Sequence, residues 1–185
     1  MAAVIIQARM GSSRLPGKTL EPLGEATVLD WVVDRTLAAR RVTDVIVATT
    51  TEPNDDVIER HLDTRGLRCV RGSSADVLSR YALAAQSTSA DTLVRITADC
   101  PLVDPAILDS AIELIEAEGS LCDYVSTSID GRFPRGLDVE AFTRSALLEA
   151  AEQAVDPDER EHVTLHIYRS TDRFFCAPVV CPEPL

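Results

Sequence analysis

Short runs of aliphatic and β-branched residues alternate along this chain with stretches whose apolar positions recur at helical spacing. Val4–Ala8 reads as a first strand buried on both faces. Val28–Arg40 repeats apolar positions at Val28, Trp31, Val32 and Leu37-Ala38, as one face of a helix does. Asp44–Thr50 predicts a second strand. Asn54 is placed to cap a helix that Gly66 ends near Arg65, and Leu67–Arg71 is a short third strand. Ser74 is placed to cap a helix running to about Gln86, and Asp91–Thr97 follows as a strand. Pro101 and Pro105 then force a loop, with Asp104 as cap and Pro105 as first residue of a helix to about Glu118. Strands are expected at Asp123–Ser128, Leu137–Phe142 and Arg173–Val180. Helices are expected near Arg144–Ala154 and Glu159–Tyr168, and Ile129–Gly136 is turn-rich.

This alternation predicts an α/β fold: one three-layer α/β/α domain over residues 1–185, around a mostly parallel, Rossmann-like sheet. Such sheets bind ligands beyond the carboxyl ends of their strands, so those loops are where chemistry is expected.

Composition narrows the function classes. Hydrophobic residues make up 45% of the 185, enough for a sizeable core, and the formal net charge is −12. So acidic a chain is unsuited to gripping duplex nucleic acid on a basic face, but can bind a small anion where positive charge is concentrated. The five cysteines (Cys69, Cys100, Cys122, Cys176 and Cys181) are odd in number and form no C-x-x-C pair. They read as reduced thiols of a cytoplasmic protein. No apolar run reaches the length of a signal-peptide core or a membrane span.

Positive charge is concentrated in one place. Residues 1–18 carry Arg9, Arg14 and Lys18 and no acidic residue, and Lys18 is the sole lysine among 18 basic residues. Gly11 and Gly17 let backbone N–H groups approach a ligand, Ser12 and Ser13 add hydroxyls, and guanidinium and ammonium groups suit phosphate oxygens. The segment is not a P-loop. Five residues separate Gly11 from Gly17 where a P-loop has four, and Glu21-Pro22-Leu23-Gly24 breaks any helix at once. Two further positions stand at the expected ligand edge. Asp99, held by the turn with Pro101, either caps its loop or coordinates a cation such as Mg²⁺. Asp138 and Glu140, two apart on one expected strand face, either complete a metal site, accept from sugar hydroxyls, or face solvent. His162 and His166 lie four apart, yet lack the H-E-x-x-H pattern and a third ligand, so zinc is not favoured.

The run Ile5-Ile6-Gln7-Ala8-Arg9-Met10-Gly11-Ser12-Ser13-Arg14-Leu15-Pro16-Gly17-Lys18 resembles the signature loop of nucleotide-sugar pyrophosphorylases and cytidylyltransferases. The match is to the group of spore coat polysaccharide biosynthesis protein F and, more distantly, to the enzymes that activate 3-deoxy-manno-octulosonate and N-acylneuraminate. Val47–Thr51, Arg71-Gly72 with Asp76 and Arg80, Arg95–Leu102, Gly136–Glu140 and Arg160–Thr164 are similar to the same group, so the resemblance covers nearly the whole chain. It implies the nucleotide-diphospho-sugar transferase fold, a homodimer, and an Mg²⁺-dependent transfer from CTP to a sugar or sugar acid for surface polysaccharide, with release of pyrophosphate. Arg14, Lys18 and Asp99 are then the catalytic group. Ala8, Arg9, Gly11, Ser12, Ser13, Thr49, Arg71, Asp76 and Arg80 join Arg14 and Lys18 around the nucleotide. Asp99 and Asp138 take the metal, and Asp138, Glu140 and His162 take the sugar. A plainer reading of Asp76 and Arg80 is a surface i,i+4 pair. The family's further C-terminal segment, with its second metal carboxylate, is not found before Leu185, so catalysis is expected to be less secure than nucleotide binding. The competing classes are a glycosyltransferase, which normally carries an Asp-x-Asp motif where this chain has Asp99-Cys100-Pro101, and a non-catalytic nucleotide-binding relative.

Overall fold

A computed structural model describes residues 2–12 and 15–180. Ser13, Arg14 and Cys181, three residues singled out above, lie outside the described residues. The chain opens on β1 (Ala2–Gln7), and after its loop and one 3-10 turn (Lys18–Leu20) forms a small hairpin, β2 (Pro22–Leu23) and β3 (Ala26–Thr27). There follow α1 (Val28–Leu37), β4 (Val42–Thr50), α2 (Asp56–Thr64), β5 (Arg68–Gly72), α3 (Val77–Gln86), β6 (Thr92–Thr97) and α4 (Pro105–Glu118). The last third holds β7 (Tyr124–Ser126), β8 (Glu140–Thr143), α5 (Arg144–Gln153), α6 (Pro157–Glu161), α7 (Leu165–Arg169) and β9 (Cys176–Pro178).

The main sheet has seven strands in the order β5-β4-β1-β6-β8-β7-β9. β4, β1 and β6 are parallel neighbours and β5 continues the set, whereas β8 runs antiparallel to both β6 and β7. Alternation along β1 builds two cores. Ala2, Val4 and Ile6 pack with α1, α2 and α4 on one face, and Ala3 and Ile5 pack with α3 and α5 on the other. The three-layer, mostly parallel architecture expected from the pattern is therefore present. Cys69, Cys100, Cys122 and Cys176 are free thiols, and no helix among the described residues is long and apolar enough to cross a membrane.

Local expectations were met unevenly. Asp104 caps α4 through its Oδ1, which accepts from Ala106 N at 2.7 Å, and Pro105 is the first helical residue. Asp76, not Ser74, caps α3, with Oδ1 accepting from Ser79 N at 2.9 Å. The helix expected to be capped by Asn54 begins at Asp56, with Asp55 at the cap position after a 3-10 turn over Pro53–Asp55. The helix expected over Glu159–Tyr168 is two short helices, because buried Val163 between them adopts φ 48°, a left-handed conformation costly for a β-branched residue. The strand expected from Leu137 starts only at Glu140, so Asp138 and Glu140 do not share a strand face. The hairpin β2–β3 was not foreseen. It brings Trp31 Nε1 against Leu23 O at 2.7 Å and leads into the reciprocal cap of α1, where Thr27 Oγ1 accepts from Asp30 N and Asp30 accepts from Thr27 N. Thr27→Ala removes that cap and is expected to lower stability by about 1 kcal/mol, read as a drop in the denaturant midpoint at unchanged slope.

Candidate functional site

Beyond the carboxyl ends of β1 and β6 lies an open cavity of about 730 Å³. Gln7, Arg9, Gly11, Ser12, Lys18 and Thr19 line it from the first loop, and Arg95, Thr97, Ala98, Asp99 and Cys100 from the end of β6. Arg135, Gly136 and Asp138 contribute from the segment before β8, and Glu161 and His162 from the end of α6.

Backbone pairing fixes the two principal walls relative to each other. Ala8 N donates to Ala48 O at 3.1 Å and Ala98 N donates to Gln7 O at 3.0 Å, so the parallel ladder runs one residue past β1 on both sides. The first loop then folds back on itself. Met10 O accepts from both Ser12 N (2.9 Å) and Gly17 N (3.0 Å), and buried Thr19 donates its hydroxyl to Arg9 O at 2.8 Å. Gly17 sits at φ 80°, which favours glycine. This closure delivers Lys18 across the cavity onto Asp99, where Nζ and Oδ2 form a short ion pair. Burial pushes the Asp99 carboxyl up, but the Lys18 ammonium and the Thr97 hydroxyl outweigh it and hold it below its ordinary value.

The floor is a second charged network. Arg95, largely buried, donates from Nη1 to Glu140 Oε1 at 2.8 Å and from Nε and Nη2 to Gln7 Oε1 at 3.3 Å. Thr164 donates to the other Glu140 oxygen at 2.8 Å. Burial alone would lower the Arg95 pKa, yet the facing Glu140 raises it above the ordinary arginine value. Glu140 thus stands behind Arg95 and does not itself line the cavity. By contrast, the side chains of Arg9, Arg135 and Glu161 have no hydrogen bond or ion pair to a described residue, and Asp138 accepts only from Gly136 N at 3.0 Å. Most other charged side chains of the first half of the molecule are paired, as Arg65, Arg68 and Arg71 show. The unpaired charges gathered at this cavity leave it able to receive an anionic, polyhydroxylated ligand.

Of the remaining positions singled out by the sequence, Ala8, Thr49, Arg71, Asp76 and Arg80 are not among the residues that line the cavity. Ala8 is buried. Thr49 is fully buried, and its Oγ1 is one of two buried side-chain polar atoms without a partner among the described residues. The other is Nε of Arg80, which is 1% exposed and, among the described residues, meets no carboxylate at bonding distance and donates only from Nη1 to Ser73 O at 2.5 Å. Burial lowers its pKa. The surface pairing of Asp76 with Arg80 is therefore corrected: Asp76 takes Arg160 from α6, at 2.6 Å to Nη2 and 3.0 Å to Nε. Arg71 ties β5 to α2 through Asp56 (2.6 Å) and Glu59 (2.8 Å). His162 lines the cavity, while His166 turns away to Glu159 at 2.9 Å, so the two do not act as a pair. Gln7, Arg95, Thr97 and Arg135 line the cavity without having been picked out as site residues, although the first three lie inside the segments that carry the resemblance.

Among the described residues no three His, Cys, Asp or Glu side chains converge on one point. Three carboxylates, Asp99, Asp138 and Glu161, line the same cavity, and the first two are those expected to take a metal. That donor set suits a hard divalent cation that completes its shell with water and phosphate oxygens.

A family model described as cytidylyltransferase matches residues 3–176. The chain is 36% identical to spore coat polysaccharide biosynthesis protein SpsF of Bacillus subtilis, over 88% of this chain and 68% of that protein. It is 30% identical to the 3-deoxy-manno-octulosonate cytidylyltransferase of Solibacter usitatus, over 89% of this chain and 70% of that one. Among solved structures, a cytidylyltransferase from Leptospira borgpetersenii superposes with TM-score 0.93 at 34% identity, covering 99% of this chain and 77% of the other.

The Lys18–Asp99 contact gives a direct test of the site's electrostatics. In Lys18→Met the Asp99 carboxyl is expected to titrate at higher pH than in the wild type, because burial then acts with less opposition. Carboxyl ¹³C NMR follows the shift, and an unmoved titration would show that the ion pair does not form in solution.

Proposed function

The chain belongs to the cytidylyltransferase family, and from that membership and the charge layout of the cavity we propose that it joins CTP to a sugar or sugar acid with release of pyrophosphate. The observation that carries the reading is the cationic loop after β1, which closes so that Lys18 meets Asp99 while Arg9, without an ion pair to a described residue, lines the same cavity. A triphosphate entering there exchanges the Asp99 carboxylate for phosphate oxygens as the partner of Lys18. The absence of an Asp-x-Asp segment at Asp99-Cys100-Pro101 disfavours a nucleotide-sugar glycosyltransferase.

In the proposed reaction an acceptor hydroxyl attacks the α-phosphorus of CTP. A new oxygen–phosphorus bond forms as the hydroxyl gives its proton to solvent, the bond from that phosphorus to the bridging oxygen of the β-phosphate breaks, and pyrophosphate carries away the electron pair. No covalent enzyme intermediate is needed, so the work is alignment and stabilisation of negative charge. Lys18 and Arg14 hold the β- and γ-phosphates and the departing pyrophosphate. Arg9 stands near the α-phosphate, and the backbone of Gly11, Ser12 and Ser13 supplies N–H groups. Ala8, Thr49, Arg71, Asp76 and Arg80 shape the nucleoside side. The buried Arg80 and the Thr49 hydroxyl, incompletely bonded among the described residues, favour this, because such groups are expensive unless a ligand or water completes them. Asp138 and His162 meet the acceptor, and Glu140 acts behind them by fixing Arg95. Asp99 and Asp138 would hold Mg²⁺, which neutralises phosphate charge when bound. We place this activity in one cytoplasmic domain serving surface polysaccharide or glycoconjugate synthesis.

Pyrophosphate release with each of CTP, UTP, ATP and GTP against a panel of sugars and sugar acids tests the reading. Turnover is expected with CTP and one acceptor class. Lys18→Ala is expected to lower kcat by about 10²–10³-fold, the usual cost of losing one preorganised donor to a developing anion, while circular dichroism stays unchanged. Undiminished release by that variant would sink the assignment of Lys18.

A further inference from the structure

One buried carboxylate outside the cavity holds its cationic wall in place. Asp55 ends the 3-10 turn after β4 and is 3% exposed. Its Oδ1 accepts from Met10 N at 2.7 Å, across 45 residues of chain, and its Oδ2 accepts from the hydroxyl of Thr50, the last residue of β4. Thr50 is itself 1% exposed, and its Oγ1 accepts from Glu52 N at 3.1 Å, which sets its rotamer. An ionised carboxylate so deep is strongly disfavoured unless its oxygens are hydrogen-bonded. Here one of the two bonds is spent on the first loop.

Met10 is also the hub of that loop. Its C=O takes Ser12 N and Gly17 N, and its N–H goes to Asp55, so both backbone groups of this one residue are committed. The residues on either side, Arg9 and Gly11-Ser12, line the cavity. No helix dipole is present to fix these groups toward an anion, since only a three-residue 3-10 turn follows the loop. Their orientation therefore depends on how firmly Met10 is held.

We propose that Asp55 is a positioning residue for nucleotide binding, acting through the Met10 amide to aim Arg9 and the Gly11-Ser12 backbone at the triphosphate. This rests on the CTP-binding reading of the same site. The Asn side chain keeps a carbonyl oxygen for Met10 N, whereas Ala keeps nothing, so the two substitutions separate the clamp from the charge.

The test is calorimetric titration of the intact protein with CTP in magnesium-containing buffer, for wild type, Asp55→Asn, Asp55→Ala, Thr50→Val and Ile58→Val. Ile58, fully buried in α2, serves as a control that lowers stability without touching the loop. Asp55→Ala is expected to weaken CTP about ten- to hundredfold, the range for loss of a hydrogen bond to a charged group. Asp55→Asn should recover most of that loss, Thr50→Val should weaken CTP less than Asp55→Ala does, and Ile58→Val should bind as wild type. If Asp55→Ala does not fold, Thr50→Val decides: weakened binding at wild-type secondary structure supports the clamp, and unchanged binding overturns it. Equal affinity of folded Asp55→Ala and wild type, equal weakening by Asn and Ala, or equal weakening by Ile58→Val would each overturn it. A wild-type protein that binds no CTP would instead overturn the reading of the site on which the clamp rests.

Discussion

The site depends on the complete burial of the first strand. Ala2, Ala3, Val4, Ile5 and Ile6 have no exposed surface, and β1 is flanked on both edges by parallel partners. Every side chain from Ala2 to Ile6 is therefore spent on one of the two cores, and the backbone is paired on both edges, which leaves β1 no low-cost way to shift register. Its carboxyl end is consequently a fixed point. Both cavity walls are located from it, since Gln7 O holds Ala98 and Ala8 N holds Ala48. Arg9 and Asp99 each lie one residue beyond these bonds. The Lys18–Asp99 ion pair then closes a ring that begins and ends on the sheet, and small residues at positions 8 and 98 allow the two walls to approach.

What could be seen in the sequence follows from how local each determinant is. The first strand and the Asp104-Pro105 helix start are written in neighbouring residues and both formed as read, and the concentration of cations in residues 1–18 is plain in the sequence itself. The identity of Asp99 as a ligand-edge residue needed only the rule that α/β sheets work at their carboxyl ends. Arg95 was harder, because its meaning lies in Glu140 and Gln7, 45 and 88 residues away. Asp55 reads as one more polar residue in Asn54-Asp55-Asp56, and nothing nearby says that it is buried against Met10. Val163 obeys no local rule: it is buried with a left-handed backbone, and it splits a helix that periodicity had joined.

Asp76 and Arg80 show the opposite error, a local rule that was too strong. Their spacing suits a pair on a helix surface, yet Arg80 turns inward and Asp76 sits at the cap. The capping position frees one carboxylate oxygen for Arg160, so α3 is tied to α6. That bond brings Glu161 and His162, the next residues along, to the cavity. In the proposed reaction, the nucleoside side and the acceptor side are thus joined by an ion pair that neither substrate needs to touch.

The absence of a P-loop explains the charge distribution. Where a helix starts directly after a glycine loop, backbone dipoles carry much of the anion's stabilisation. Here Pro22 and the hairpin follow within a few residues of Lys18, so side-chain charge must replace the dipole. A chain of net charge −12 meets that need by placing Arg9, Arg14 and Lys18 in a segment without carboxylates. Uncompensated, so many cations in one loop would repel each other, and Lys18 is relieved by Asp99 across the cavity. Arg9 has no such partner among the described residues, which in the proposed reaction leaves its guanidinium available to phosphate while the charge of Lys18 is held in reserve. On this view the short ion pair is the resting state of the proposed nucleotide site: Asp99 keeps Lys18 extended into the cavity, and a phosphate that displaces it meets an ammonium already in place.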